Sequence, residues 1–116
     1  MKTVKLERIS DMLVEQISYI INREVKDKDI EFVTVTECKV SSDLSYAKVY
    51  VTVLNDAKRK ETIKALNNAK GFIRGKLHDR VDIRHIPELE FVYDESIEYG
   101  QNIEKIIEQI HDKIDE

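Results

Sequence analysis

The first part of the chain mixes apolar and charged residues with the period of a helix. Apolar residues recur at steps of three and four from Leu6 to Ile21, and charged residues lie between them. This spacing predicts an amphipathic helix whose apolar face packs against the rest of the protein. The run Asp27-Lys28-Asp29 ends the helix without a glycine cap.

The two segments that follow have the pattern of β-strands. Residues 32–40 are rich in β-branched side chains, and residues 46–54 alternate strictly between the two faces of a strand. In the second segment one face is apolar and the other is polar, as in an antiparallel strand with one solvated side. The turn-forming residues Ser41-Ser42-Asp43 between the segments predict a hairpin.

The second half of the chain predicts a helix, a strand and a last helix. Asn55 or Asp56 can cap a helix over residues 57–81, and Pro87 disfavours helix at the residue before it. Residues 88–94 alternate again, and Ser96 is a suitable N-cap for a helix with an isoleucine stripe over residues 103–114. The element order predicts one α+β domain, residues 1–116, with helices on one face of a three-stranded sheet.

Two interior glycines distinguish the central helix. Gly71 and Gly75 each cost about 1 kcal/mol relative to alanine in a helix. One explanation is a bend or break near Ala69-Lys70-Gly71, which would let backbone come close to a ligand. The other is close packing against a neighbouring helix, since the glycines are four residues apart. The residues alone leave both explanations open.

Composition excludes several classes of protein. The chain has 116 residues, of which 41% are hydrophobic and 36% charged, with three glycines and one proline. A disordered chain is less apolar, and a membrane protein is less charged. No apolar run approaches the roughly 18 residues of a transmembrane helix, no signal peptide is apparent, and a single cysteine allows no internal disulfide. These features predict a cytoplasmic protein.

The net charge of −4 hides a strong separation of charge along the chain. Residues 57–86 have a net charge of +6, whereas residues 87–116 have a net charge of −8. Like charges four residues apart on a helix repel, and a phosphate backbone would relieve that repulsion. The basic segment therefore favours binding of a polyanion over a merely solvated face. Its candidate RNA-binding residues are Lys58, Arg59, Lys60, Lys64, Lys70, Arg74, Lys76, Arg80 and Arg84.

Catalytic and metal-binding motifs are not found. His78, His85 and His111 are widely spaced, and the sequence contains no nucleotide-binding glycine loop. Cys38 falls within a strand, where a small buried hydrophobe is expected. We therefore expect no enzyme activity, no cofactor, no metal and no small-molecule substrate. Tyr50, on the polar face of the second strand, could stack on an unpaired base, although exposed strand tyrosines often have no such role.

Several stretches resemble the ribosome-binding factor A family. They are Asp43-Leu44-Ser45-Tyr46-Ala47-Lys48-Val49-Tyr50-Val51, Leu54-Asn55-Asp56, Ala69-Lys70-Gly71-Phe72-Ile73-Arg74 and Ile86-Pro87-Glu88-Leu89. The resemblance covers nearly the whole chain, in order and at the family's spacing. It implies a KH-like domain of type II topology. In this family Ala69-Lys70-Gly71 replaces the G-x-x-G loop of ordinary KH domains, so that two helices become one interrupted helix.

The resemblance also implies a function. Members are non-catalytic assembly factors that bind the free 30S subunit and its 16S rRNA. They promote late 30S maturation and processing of the 16S rRNA 5′ end, notably in the cold. Carried onto this chain, the RNA-facing candidates are the Ala69-Lys70-Gly71 motif and the basic residues Lys64, Arg74, Lys76 and Arg80. The alternative is a protein–protein module, such as a homodimer formed through the C-terminal isoleucine stripe; we expect a monomer.

Overall fold

Helix α1, Lys2–Arg23, begins the structure, a computed structural model that describes residues 2–96. The apolar stripe predicted from the sequence is the buried face of this helix, and Leu13, Ile17 and Ile20 are fully inaccessible to solvent. The last helix, predicted to start near Ser96 and to carry an isoleucine stripe over residues 103–114, lies outside the described residues from residue 97 onward. Among the described helices, none is both long enough and apolar enough to cross a membrane.

Strands β1, Val33–Val40, and β2, Tyr46–Val53, form the predicted antiparallel hairpin. The Asp43 carboxylate organises the turn, because it accepts hydrogen bonds from the hydroxyls of Ser45 and Ser41 at 2.7 Å each. It also accepts a bond from the Ser45 N–H at 3.0 Å. These hydrogen bonds, the Ser45 hydroxyl first, lower the pKa of Asp43 to about 2.

A bulge in β1 decides which of its residues enter the core. The register against β2 shifts between Val35 and Glu37, which leaves Thr36 as an extra residue. Strict alternation from Val35 would bury Glu37. With the bulge, Glu37 is exposed and Cys38 is buried instead. The bulge therefore keeps a carboxylate out of the apolar core.

The chain crosses from β2 to the third strand through two helices. Asn55 caps a short 3₁₀ turn, Asp56–Lys58, by accepting a hydrogen bond from the Ala57 N–H at 3.2 Å. Helix α2, Arg59–Asn68, and helix α3, Lys70–Arg80, follow. Strand β3, Glu88–Tyr93, then pairs parallel to β2.

The three strands form a mixed sheet in the order β1–β2–β3. The apolar residues of β2 alternate into the core, where Ala47, Val49 and Val51 are fully buried. α1 packs on β1, α2 and α3 pack on β3, and α1 contacts α3, so these helices cover one face of the sheet. The predicted α+β class and one-sided arrangement are confirmed.

The predicted interruption of the central helix lies at Ala69, whose φ of −91° and ψ of 0° separate α2 from α3. Its N–H donates to the carbonyls of Ala65 at 3.0 Å and Leu66 at 3.1 Å. Gly71 and Gly75 both lie inside α3 without positive φ, and within the described part of the chain no neighbouring element comes within 4 Å of where a Cβ would stand. The interruption is confirmed, but neither glycine forms it, and neither packs closely against another described element.

The side-chain amide of Asn67 fastens α2 to the free edge of β3. Its Nδ2 donates to the Phe91 carbonyl at 3.0 Å, and its Oδ1 accepts from the Phe91 N–H at 2.9 Å. The amide thus pairs with both backbone groups of Phe91, as a neighbouring strand would. Phe91 is only 1% exposed, so water has little access to its N–H and carbonyl. The two bonds from Asn67 satisfy these backbone groups instead.

The Asp94 carboxylate joins the end of β3 to the bulge of β1. Its Oδ1 accepts hydrogen bonds from the hydroxyl and the N–H of Ser96, the latter at 3.0 Å, and its Oδ2 accepts from Thr36 Oγ1 at 2.6 Å. These hydrogen bonds, the Ser96 hydroxyl first, lower the pKa of Asp94. Ser96 donates both bonds to Asp94 in this arrangement, and the helix that it is predicted to cap lies outside the described residues.

Replacing Asn67 by alanine should destabilise the protein strongly. Asn67→Ala removes the protein partner of two backbone groups at a buried residue, which costs about 2–4 kcal/mol of the free energy of unfolding. Urea denaturation measures the change. The control is Asn68→Ala, an exposed neighbour, for which we expect a change within about 0.5 kcal/mol. Equal losses in the two variants would contradict the role assigned to the Asn67 amide.

The stabilisation from Asp94 should disappear in acid. Because folding lowers the pKa of Asp94, its contribution is present above the ordinary carboxyl pKa of about 3.9 and is lost as pH falls through the lower folded-state pKa. At pH 7 Asp94→Asn should be less stable than the wild type by about 1.5 kcal/mol. Urea denaturation should show this difference shrinking as pH falls below about 4. A difference independent of pH would argue against a role for the ionised carboxylate.

Candidate nucleic-acid interface

The structure divides the nine basic candidate residues between the two central helices and the segments that flank them. Lys58 ends the 3₁₀ turn, and Arg84 lies between α3 and β3. The others belong to α2 or α3, and they are Arg59, Lys60, Lys64, Lys70, Arg74, Lys76 and Arg80. Their surroundings separate them into cations that are free to bind a ligand and cations that already have a partner in the protein.

Five of the nine are exposed and uncompensated. None of them has a carboxylate within ion-pair distance among residues 5–96, and none stacks on an aromatic ring there. Lys60 and Lys64, four residues apart, share the outer face of α2, opposite the buried Thr62 and Leu66. The five residues are Lys58, Lys60, Lys64, Lys70 and Arg84.

Arg59 is held by the protein. Its guanidinium forms an ion pair with the Asp56 carboxylate and lies over the ring of Tyr93, 3.7 Å from the ring centroid. Its side chain is 26% exposed. These contacts connect the start of α2 to the end of β3, so Arg59 serves the fold.

Arg74 is also held by the protein. Its Nη2 donates to the Ile86 carbonyl at 2.7 Å, and its Nε lies 3.1 Å from the same carbonyl and 3.2 Å from that of Pro87. Ile86 and Pro87 are both buried. The guanidinium therefore satisfies backbone carbonyls just before β3 and fixes α3 against that strand.

Arg80 and Lys76 each have a contact within the protein but keep part of their surface exposed to solvent. Arg80 contacts two side chains of α1: its Nε donates to Gln16 Oε1 at 2.7 Å, and its guanidinium carbon lies 4.0 Å from the ring centroid of Tyr19. The Lys76 ammonium lies 5.4 Å from the ring centroid of Phe72. Arg80 is nevertheless exposed, and Lys76 is partly exposed.

The backbone is accessible immediately after the interruption at Ala69. No side chain caps the start of α3, and Gly71 is exposed with open space where a side chain would stand. Gly71 lines a shallow cleft of about 230 Å³ between α3 and β3, together with Lys70, Arg74, Glu88 and Leu89.

Sequence reasoning missed residues of α1 that join this surface. Tyr19, 44% exposed, carries Arg80 on its ring, and the guanidinium of Arg23 lies 5.9 Å from the same ring centroid. The signal was present in the sequence, because Tyr19 falls outside the buried stripe of α1 and Arg23 follows it by one helical turn. The sequence does not reveal that α1 contacts α3, which brings Arg80 to Tyr19 and Arg23.

The outer face of the sheet places Tyr50 beside Lys39, whose ammonium lies 5.4 Å from the ring centroid. Tyr50 is only partly exposed. Base stacking there stays a prediction.

Other chemistry is not assembled among the described residues. His78 and His85 are both exposed, and no group of three or more His, Cys, Asp or Glu side chains within residues 2–96 is arranged to hold a metal ion. Cys38 is 3% exposed, and burial, aided by the nearby Glu37 carboxylate, raises the pKa of its thiol to about 12. Such a thiol is a core residue rather than a nucleophile. His111 lies outside the described residues.

Comparison with known sequences gives one consistent result. The family model described as ribosome-binding factor A matches residues 5–107. The ribosome-binding factor A of Staphylococcus carnosus is 47% identical over 114 residues, covering 97% of this chain and 99% of the relative. That of Staphylococcus epidermidis is 46% identical over 112 residues, covering 96% and 97%.

Comparison with known three-dimensional structures gives the same family. The crystal structure of ribosome-binding factor A from Thermus thermophilus superposes with a TM-score of 0.70 at 25% identity, covering 76% of this chain and 94% of that one. A homology model of the Thermus factor, fitted into a cryo-EM map of a 30S–RbfA complex, gives 0.63 at 26% identity, covering 74% and 91%. The architecture, the interrupted basic helix and these similarities together show that the chain belongs to the ribosome-binding factor A family.

Proposed function

We propose that this protein is a non-catalytic assembly factor that binds the free 30S subunit through its 16S rRNA. In this role it promotes late 30S maturation and processing of the 16S rRNA 5′ end in the cytoplasm, including in the cold. Family membership and the 30S complex of the Thermus relative support the proposal. The protein would act as a monomer and without a cofactor.

The observation that carries the proposal is the set of uncompensated cations along α2 and the start of α3. Lys60, Lys64 and Lys70 are exposed, and no carboxylate among residues 5–96 lies within ion-pair distance of them. Surface cations placed to stabilise the fold are normally mixed with acids. Lysines that track a phosphate backbone gain affinity from the release of condensed counterions.

The interruption at Ala69 gives this surface a point of close approach. Beside Gly71 the backbone is open toward the cleft among the described residues. A phosphate could approach the backbone there more closely than anywhere that bears a side chain. The Ala69-Lys70-Gly71 motif would then do what a G-x-x-G loop does in an ordinary KH domain.

The basic residues have different roles in the proposed binding. Lys58, Lys60, Lys64, Lys70 and Arg84 contact phosphates and position the RNA without reading its sequence. Arg59 and Arg74 hold the two helices against β3, and Arg74 also lines the cleft beside Gly71, so both stay candidates for RNA contact in addition to their role in the fold. Lys76 and Arg80 stay candidates for direct contact. The alternative function, a homodimer formed through the C-terminal isoleucine stripe, concerns residues outside the described part of the chain.

Cosedimentation with purified 30S, 50S and 70S particles at two salt concentrations tests the proposed function. We expect the protein to pellet with free 30S subunits and to bind less at the higher salt concentration. Lys64→Gln should lower the slope of log K against log salt by about 0.7–0.9, the value of one phosphate contact, with no change in melting temperature. Equal binding to 50S and 30S particles would contradict the assignment.

The two glycines provide a matched pair for testing the close approach. Both Gly71→Ala and Gly75→Ala should raise the melting temperature, because alanine is favoured over glycine by up to about 1 kcal/mol within a helix and open space receives the methyl group. Only Gly71→Ala should also weaken 30S binding, because its methyl group occupies the cleft. Unchanged binding by Gly71→Ala would show that RNA does not approach the backbone at this residue.

A further inference from the structure

Helices α1 and α3 bring two arginines to a single tyrosine on the surface. The guanidinium carbon of Arg80 lies 4.0 Å from the ring centroid of Tyr19, and that of Arg23 lies 5.9 Å from it. Because both lie on one ring, the two guanidinium carbons are less than about 10 Å apart. Arg23 and Arg80 are exposed, and Tyr19 is 44% exposed.

Arg80 is oriented before any ligand arrives. Gln16 Oε1 accepts a hydrogen bond from its Nε at 2.7 Å, and the ring of Tyr19 supports the guanidinium plane. The hydrogen bonds of its side chain to residues 5–96 involve Nε alone. Among the described residues the donors of the two Nη groups therefore stay available, in the planar fork that matches a phosphate.

The charge of this pair is not balanced within the described protein. Among residues 5–96, no carboxylate lies within ion-pair distance of Arg23 or Arg80. Because the two exposed guanidiniums lie within about 10 Å of each other, one anion can reach both. An anion bound between them would gain attraction from two positive charges at once.

We propose that Arg80 and Arg23, aligned by Gln16 and Tyr19, form a binding site for backbone phosphate of the RNA. The site carries the interface from α3 onto α1, which the lysine run of α2 does not reach. Arg23 and Arg80 contact the phosphate, whereas Gln16 and Tyr19 are positioning residues. The proposal rests on the proposed function, since continuity with the basic central helices is what identifies the anion as RNA phosphate.

The test uses substitutions that alter the geometry of Arg80 but keep the charge of the protein. Arg80→Lys keeps the positive charge and loses the fork, and Tyr19→Leu keeps every charge and loses the ring. Each should weaken binding to free 30S subunits about tenfold at fixed salt, the effect of losing one charge-assisted hydrogen bond. The control is Arg8→Lys, an exposed residue of α1, which should bind as tightly as the wild type.

The melting temperature of each variant separates binding from folding. Arg80→Lys or Tyr19→Leu with a lower melting temperature but wild-type affinity would overturn the proposal, because the stack would then serve only to pack α1 against α3. In that case Lys64→Gln would still weaken RNA binding, and the proposed function would stand. If the wild type and Lys64→Gln bind free 30S subunits equally weakly, the proposed function fails, and the phosphate site fails with it.

Discussion

The pairing of the Asn67 amide with the backbone of Phe91 is the contact on which the basic surface depends. It ties α2 to the one strand edge that the crossover helices approach, through both the N–H and the carbonyl of a buried residue. Arg74 makes the corresponding attachment for α3, through the carbonyls of Ile86 and Pro87. With both helices fixed to β3, the interruption at Ala69 occupies a set position above the sheet.

The division of the cations follows from the chemistry of their side chains. The planar guanidinium of arginine can satisfy two carbonyls or stack on a ring, and Arg59 and Arg74 do so in this protein. Lysine carries a compact, hydrated charge on a flexible stem, and Lys60 and Lys64 keep that charge in solvent. Arg59 and Arg74 therefore hold the fold together, whereas Lys60 and Lys64 keep their charge available to the phosphates of the proposed RNA ligand.

How far the sequence predicts the structure depends on the range of the contacts. The period of apolar residues locates α1 and β2 because burial of one face is a local requirement. The bulge at Thr36 is invisible to that pattern, because it depends on pairing with β2 and on the carboxylate of Asp94. Asn67 reads as an ordinary polar helix residue, and Arg74 reads as one more cation of the run. Their partners are 24 and 12 residues away, so periodicity carries no information about them.

Gly71 of α3 bears on the proposed RNA contact. A glycine within a helix usually has one of two structural reasons: the backbone adopts a conformation that other residues disfavour, or a neighbouring group packs where a side chain would be. Within the described chain neither holds for Gly71, which lacks a positive φ and has no atom near the position of a Cβ. The space it leaves is on the outside, at a cleft beside Lys70. Gly71 therefore lowers the stability of α3 without a use inside the described protein, and the proposed approach of RNA to the backbone at this cleft would explain that cost.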